Sequence, residues 1–397
     1  MLSKNIYILK RKMQAICLSC SFLMMRVFPV RGDKIVFAAF EGDGGFGCNP
    51  KYIAEELHRR NDKYKMIWLT HDTSREYPEY ICPVKDSNFN TAYHLSTARV
   101  WVDNYRKPYG TLKRKGQLYI QTWHASIGFK AVGLFRGEAF PKIARLVSQW
   151  DSDLADYVVS NSVYCDRIYP KTLLYNGPTI RTGSPRCDCI VGDRTKVRLN
   201  VRKRYHLPEN IKILLYAPTF RGGTQEGKKV VNANFPTLDF EGLIDCLSRR
   251  FGGDWNILLR LHPQVAAAYK EMPLQEKKEY MIDVSQVGDI SELIAASDVL
   301  ITDYSSCAFD AAYGYIPVFI YADDIEKYIK SRGEFLWKRE ELPFLTAETN
   351  DELSRNIAEF DEGKYKALVS RFMNLHGVVE DGHASERVAD IIEDWMR

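Results

Sequence analysis

Ser297-Asp298-Val299-Leu300-Ile301-Thr302-Asp303-Tyr304-Ser305-Ser306-Cys307-Ala308-Phe309-Asp310 reads as one repeating step of an α/β fold. Val299 to Thr302 is a short β-branched and apolar run, as expected of a strand buried on both faces of a parallel sheet. Asp303 to Ser306 interrupt it, Cys307 to Tyr313 continue as a helix that Gly314 stops, and Val318 to Tyr321 supply the next strand after Pro317. The loop brings two hydroxyls and backbone N–H groups to a helix N-terminus, where the macrodipole favours negative charge. Ser305 and Ser306 therefore serve either as N-caps or as the phosphate end of a nucleotide site.

The same alternation extends in both directions. Toward the N-terminus, strands are predicted at Lys34–Phe40, Met66–Thr70, Val100–Asp103, Leu118–Trp123 and Tyr157–Ser160, with amphipathic intervals between them. A turn at Gly183-Ser184-Pro185-Arg186 closes this half near Asp188. Ile211–Tyr216, Trp255–Arg260 and Met281–Val284 repeat the plan, and Asp289 caps a helix with Glu292 at capping-box spacing. Ala384–Trp395 reads as a final amphipathic helix. The fold class is α/β, with two Rossmann-like doubly wound domains; by fold analogy rather than derivation, two such domains facing a cleft resemble the GT-B architecture. On that analogy the expected divisions are a basic amphipathic or apolar membrane-associating segment 1–33, an acceptor-side domain 34–190, a donor domain 191–375 and a helix 376–397 that closes the fold.

Composition agrees with two folded domains: 397 residues, 45% apolar and 27% charged, leave no room for extensive disorder. Residues 1–34 carry Lys4, Lys10, Arg11, Lys12, Arg26, Arg31 and Lys34 against Asp33, more positive charge than the whole-chain +4, so the remainder is slightly acidic and has no nucleic-acid footprint. Ala15 to Phe28 adds an interrupted apolar stretch of about fifteen residues, short for a span. No small-residue cleavage site follows it, so it is expected to be retained. It reads either as an amphipathic anchor on an anionic membrane face or as a helix packed on the protein's own surface. Nine scattered cysteines form neither a disulfide framework nor a zinc site; Cys187 and Cys189 lack a second pair. No metal and no cofactor are required by the pattern, and dependence on a divalent cation stays open.

Gly42, Gly44 and Gly47 satisfy G-x-G-x-x-G, yet the helix signal comes after them, with Asn49 as N-cap and Pro50 at the first helical position, so they are expected to form a loop rather than a dinucleotide cradle. Ligands of open α/β sheets gather beyond the carboxyl ends of strands, which singles out four places. His124 follows Leu118–Trp123; its imidazole either accepts a proton from an attacking hydroxyl or bonds a neighbouring loop. Arg260 and His262 lie two residues apart at another strand end and point the same way, suited to a diphosphate, while Arg260 alone also suits an ion pair. Arg221 and Arg186 are candidate anion ligands lining the cleft. Asp310 either contacts a ligand hydroxyl or favours the helix N-terminus electrostatically.

Taken in order, Gln121-Thr122-Trp123-His124, Gly183-Ser184-Pro185-Arg186-Cys187-Asp188, Leu215-Tyr216-Ala217-Pro218-Thr219-Phe220-Arg221, Arg260-Leu261-His262-Pro263, Asp298 to Ser306 with Phe309-Asp310, and Asp381-Gly382-His383-Ala384-Ser385-Glu386-Arg387 resemble the signature of the CDP-glycerol glycerophosphotransferase family of teichoic acid and capsule synthesis. The resemblance spans about residues 34–397. It implies a bacterial GT-B transferase held peripherally on the cytoplasmic face of the cell membrane, moving a polyol phosphate from CDP-glycerol, or CDP-ribitol, to a lipid-linked glycan or polyol-phosphate acceptor with release of CMP. On this basis His124 becomes the general base, joined by His262 as a catalytic residue. Arg221, Arg260, Thr302, Asp303, Ser305, Ser306, Asp310 and Arg387 become donor or phosphate ligands. Homo-oligomer formation is left open. Ala125 and Ser126 replace the family's usual Gly-Thr, and Cys187 a commoner Asn. The rival expectations are a nucleotide-sugar transferase of the same fold and a non-catalytic assembly protein.

Overall fold

The computed structural model describes residues 2–219, 223–225, 228–230, 237–261, 278–332 and 335–397. The chain forms two compact units, one of residues 1–126, 132–188 and 377–397 and the other of residues 127–131 and 189–376.

The first unit is built on a seven-stranded sheet of β1 (Arg31–Ala38), β2 (Lys65–Thr70), β3 (Ile81–Lys85), β4 (Ala98–Asp103), β5 (Leu118–Gln121), β6 (Tyr157–Ser160) and β7 (Thr179–Arg181), in the order β3-β2-β1-β4-β5-β6-β7. Every pairing is parallel. Strand periodicity splits the core into two layers. Ile35, Phe37, Met66, Trp68, Val100, Val102, Leu118 and Ile120 face one side, where Ile53 and Leu57 of α2 (Cys48–Arg60) and Val388 and Ile392 of the helix Ala384–Met396 cover them. Val36, Ala38, Ile67, Leu69, Trp101 and Tyr119 face the other, covered by α3 (Asn88–Thr97) and by α1 (Leu2–Met25).

That second cover changes the reading of residues 1–33. They are not a separate segment: Leu18, Phe22 and Met25 are buried at 5%, 0% and 5% exposure and belong to the sheet's own core. Burial of each such side chain contributes roughly 1.5–3 kcal/mol, sufficient reason for the helix to lie down on the sheet. The opposite face of α1 stays apolar and exposed, with Leu9, Met13, Ile16, Leu23 and Met24 all more than half accessible. Among the described residues no helix is long and apolar enough to cross a membrane.

The second unit repeats the plan with β8 (Lys212–Ala217), β11 (Trp255–Leu259), β12 (Met281–Asp283), β13 (Val299–Thr302), β14 (Val318–Tyr321) and β15 (Leu345–Ala347), ordered β12-β11-β8-β13-β14-β15 and parallel throughout. A short antiparallel pair, β9 (Gly223–Gln225) and β10 (Lys228–Val230), stands apart from it. Each unit is thus a doubly wound Rossmann-like sheet, as the alternation predicts. In each, the strand order reverses once beside the first strand: at β1/β4 and at β8/β13. Such reversals open a crevice at the carboxyl ends of the strands, the usual ligand position in this architecture.

Candidate active site

In the first unit the reversal is bridged by a hydrogen bond from the Phe40 N–H, just past β1, to Asn104 Oδ1, just past β4, at 2.8 Å. His124 sits on the neighbouring loop after β5. Its Nδ1 lies 3.0 Å from the Asn104 carbonyl oxygen. A carbonyl only accepts, so a neutral ring must carry its proton on Nδ1, which leaves Nε2 as the basic nitrogen. The half-buried ring is held in place by Tyr105, nearly parallel at 5.6 Å, and by Phe40 and Trp123 at 5.3 and 4.2 Å. Trp123 adopts a positive φ of 51°, an uncommon backbone state for a bulky residue and one that turns the chain as it leaves the strand.

The loop that presents the Asn104 carbonyl is itself clamped. Asp103 and Lys107 form a buried ion pair at 2.6 Å, and Asp151 accepts from the Lys107 N–H, the Tyr119 hydroxyl and the Gln121 amide. Burial pushes the Asp151 carboxyl up to about 6, with these hydrogen bonds opposing the rise.

Arg186 is brought to the same region. Asn49 accepts from the Arg186 N–H at 3.0 Å and donates to the carbonyls of Thr122 and Trp123, while the hydroxyls of Ser126 and Ser184 lie 2.5 Å apart. Asn49 is therefore not the N-cap: Gly47, extended at φ −170°, holds that position, and the Asn49 side chain turns inward as a tether. The preceding glycines lie in a hydrogen-bonded turn, with the Gly42 and Gly44 N–H groups donating to the Ala39 carbonyl. The segment Asp381–Arg387 docks on the Gly183–Asp188 turn, where Asp188 accepts from the Ala384 and Ser385 N–H groups. Arg387 therefore belongs to the first unit, not to the unit that carries Ser305 and Ser306. Its guanidinium pairs with both oxygens of Asp381 and donates to the Thr182 carbonyl. Glu380, buried, accepts from the Ser184 N–H and from Asn161; burial pushes its carboxyl up to about 7, against the lowering effect of those bonds and of the Arg186 charge.

In the second unit the reversal is held by β13. Thr302 Oγ1 donates to the Ala217 carbonyl at 2.6 Å, and both Asp303 oxygens accept from the Thr219 N–H, at 2.8 and 2.9 Å. Both residues are buried, so their geometry is that of a frame for the loop. Ser305 and Ser306 stand half-buried beyond it. Ser306 occupies the cap position without a side-chain bond to the helix, and Ser305 Oγ accepts a long 3.4 Å bond from the Cys307 N–H, so neither hydroxyl is spent on firm capping. Asp310 is buried in the first turn. Arg260 donates to the Val287 carbonyl at 2.6 Å; burial lowers its pKa and the nearby Asp289 charge opposes this. Cys307 is buried, and burial pushes its thiol up to about 11, the opposite of the lowered values that reactive cysteines carry. His262 and Arg221 lie outside the described residues. Asn49, Asn104 and Glu380 are the site neighbours that sequence reasoning missed, since each acts through contacts distant in sequence.

Residues 20–394 match the family model described as CDP-glycerol:poly(glycerophosphate) glycerophosphotransferase. A teichoic acid poly(glycerol phosphate) polymerase of Bacillus subtilis (strain 168) is 28% identical over 387 residues, covering 94% of this chain and 50% of the relative. The protein of the same description from Staphylococcus epidermidis is 30% identical over 379 residues, covering 91% and 51%. The chain thus spans about half the length of these curated relatives. A solved structure of the wall teichoic acid polymerase TagF superposes with a TM-score of 0.80 at 27% identity and covers 98% of both chains. The fold is that of a TagF-like protein with two parallel-sheet units. The chain belongs to the CDP-glycerol:poly(glycerophosphate) glycerophosphotransferase family.

Proposed function

We propose that this protein transfers glycerol phosphate from CDP-glycerol to a hydroxyl of a lipid-linked or polymer acceptor in teichoic acid or capsule synthesis, releasing CMP. The observation that carries the reading is the His124 arrangement: an imidazole at a strand end, fixed by a carbonyl so that Nε2 is its basic nitrogen. The acceptor oxygen attacks the phosphorus that bears glycerol, a new P–O bond forms, the bond to the CMP oxygen breaks, and the acceptor proton passes to Nε2. Ser305, Ser306, Asp310 and Arg260 of the second unit, with Arg221 and His262, hold the donor phosphates and offset charge on the phosphoryl oxygens and departing CMP. Thr302 and Asp303 shape that loop. Family membership and the poly(glycerol phosphate) relatives support the donor assignment.

The exposed apolar face of α1, with Lys10, Arg11 and Lys12 alongside, suits a peripheral position on the anionic cytoplasmic face of the membrane, next to a lipid-borne acceptor. The test is mass spectrometry of the product from a defined lipid-linked acceptor offered CDP-glycerol, CDP-ribitol and nucleotide sugars in turn, with CMP release measured in parallel. A glycerol phosphate adduct is expected with CDP-glycerol. No CMP from any acceptor, or turnover of a nucleotide sugar instead, overturns the reading.

A further inference from the structure

Beside His124 the first unit holds a cavity of about 470 Å³ that the transfer chemistry leaves unused, lined by Arg11, Leu18, Glu41, Tyr105, Arg106 and Ile143 among others. Glu41 and Tyr105 lie just past β1 and β4, so the cavity is the crevice where the strand order reverses, the favoured ligand position of such a sheet. Its walls differ in character. Leu18 and Ala15 of α1 and Ile143, Ala144 and Val147 of α4 (Lys142–Leu154) are apolar, whereas Arg11, Arg106 and Glu41 line it with charged groups.

Arg106 is the informative member. Its guanidinium lies over the Trp123 ring at 4.7 Å and, among the described residues, takes no hydrogen bond and no ion pair. A part-buried guanidinium carries five donors in a fixed fork, and partial desolvation without an acceptor is costly unless an anion completes it. A planar fork on an aromatic face suits a phosphate. The neighbouring apolar walls suit hydrocarbon attached to that phosphate, and α1 continues outward as the exposed Leu9, Met13 and Ile16. Tyr105 is shared, lining the cavity and stacking on His124.

We propose that this cavity binds the phosphate of the lipid-linked acceptor, with Arg106 as the main ligand, Arg11 assisting, and α1 and α4 walling the adjoining hydrocarbon. This assignment rests on the transfer reading above. The donor ligands are assigned to the second unit, so an anion site in the first addresses the other substrate.

Geranyl diphosphate is the probe, with inorganic pyrophosphate as the lipid-free control, titrated calorimetrically into the full chain. Wild type is expected to bind geranyl diphosphate at least tenfold more tightly than pyrophosphate. Arg106→Ala should weaken geranyl diphosphate about 10- to 100-fold, and Arg106→Lys less. Ala144→Trp, which fills the cavity from the α4 wall, should weaken it similarly while CDP-glycerol affinity stays at the wild-type value in all three. Equal affinity in wild type and Arg106→Ala, no binding to wild type, or equal affinity for the two probes overturns the proposal. Arg106-dependent binding without CMP release from any acceptor would remove the transfer reading and leave a lipid-phosphate site. CMP release with no such binding would do the reverse.

Discussion

Replacing His124 by asparagine separates the proposed base from the scaffold that holds it. The asparagine amide nitrogen falls close to the position of the imidazole Nδ1, so the 3.0 Å bond to the Asn104 carbonyl can be kept while Nε2 disappears. The ring contacts with Phe40, Tyr105 and Trp123 are lost in part, a cost of about 1–2 kcal/mol on a half-buried site. For a unit of this size that lowers Tm by about 2–8 °C, leaving a folded protein at assay temperature. Loss of a positioned base costs about 100- to 10,000-fold in kcat. His124→Ala should be equally inactive and about 1 kcal/mol less stable than His124→Asn, because the Asn104 carbonyl then loses its partner as well. CMP release, calorimetric CDP-glycerol binding and thermal unfolding on the same preparations give the three numbers. Donor binding should be unchanged. A folded His124→Asn enzyme within a few-fold of wild-type kcat would remove His124 from the chemistry.

The Glu380 carboxyl rises from the usual 4.5 to about 7 on burial, so the folded state holds this proton more tightly than the unfolded chain. That contribution is fully present below about pH 4.5 and is lost as pH rises through 7, a ceiling of roughly 3 kcal/mol. Denaturant unfolding at pH 5 and pH 8 should show this loss in wild type and a clearly smaller one in Glu380→Gln; equal slopes contradict the burial argument. At Gly110, φ is +101° and an added Cβ would clash with the Ala15 carbonyl oxygen. Gly110→Ala should therefore cost about 2 kcal/mol or more and loosen α1, seen as earlier thermal unfolding and faster proteolysis within residues 2–25. An unchanged Tm would mean that α1 is not seated there. Ile16→Glu with Leu23→Glu, both on the exposed face, should leave stability within about 1 kcal/mol and sharply reduce sedimentation with anionic vesicles. Unreduced sedimentation would place membrane attachment elsewhere.

The central strands were legible because they are buried on both faces and read as unbroken apolar runs: Tyr157–Ser160, Val299–Thr302 and Val318–Tyr321 stand where the pattern puts them. Three of the four edge strands escaped. Ile81–Lys85 contains Pro83 and is half exposed, while Thr179–Arg181 and Leu345–Ala347 have three residues each, too few for a period of two to show. Strand-end logic puts His124, Ser305 and Ser306 just beyond the carboxyl ends of strands, and the structure has them there. It could not find Asn104 or Asn49, which look like ordinary loop and cap residues until tertiary contact brings them to His124 and Arg186. Arg387 was legible only as part of a motif, and a motif does not say which unit its residue joins; the structure puts it in the first unit. Its partner Asp381 lies only six residues away and already neutralises it.

Residues 377–397 return to the first unit and seat Val388, Ala389 and Ile392, all at 0% exposure, on its sheet. During synthesis, then, the unit begun first is finished last. Its strands leave the ribosome with part of one apolar face bare and wait through the translation of nearly two hundred further residues, while the second unit has all its parts and can fold ahead of it. A premature stop near residue 376 would leave that part permanently uncovered, and the expected product is a chaperone-bound or aggregated chain rather than a shortened enzyme.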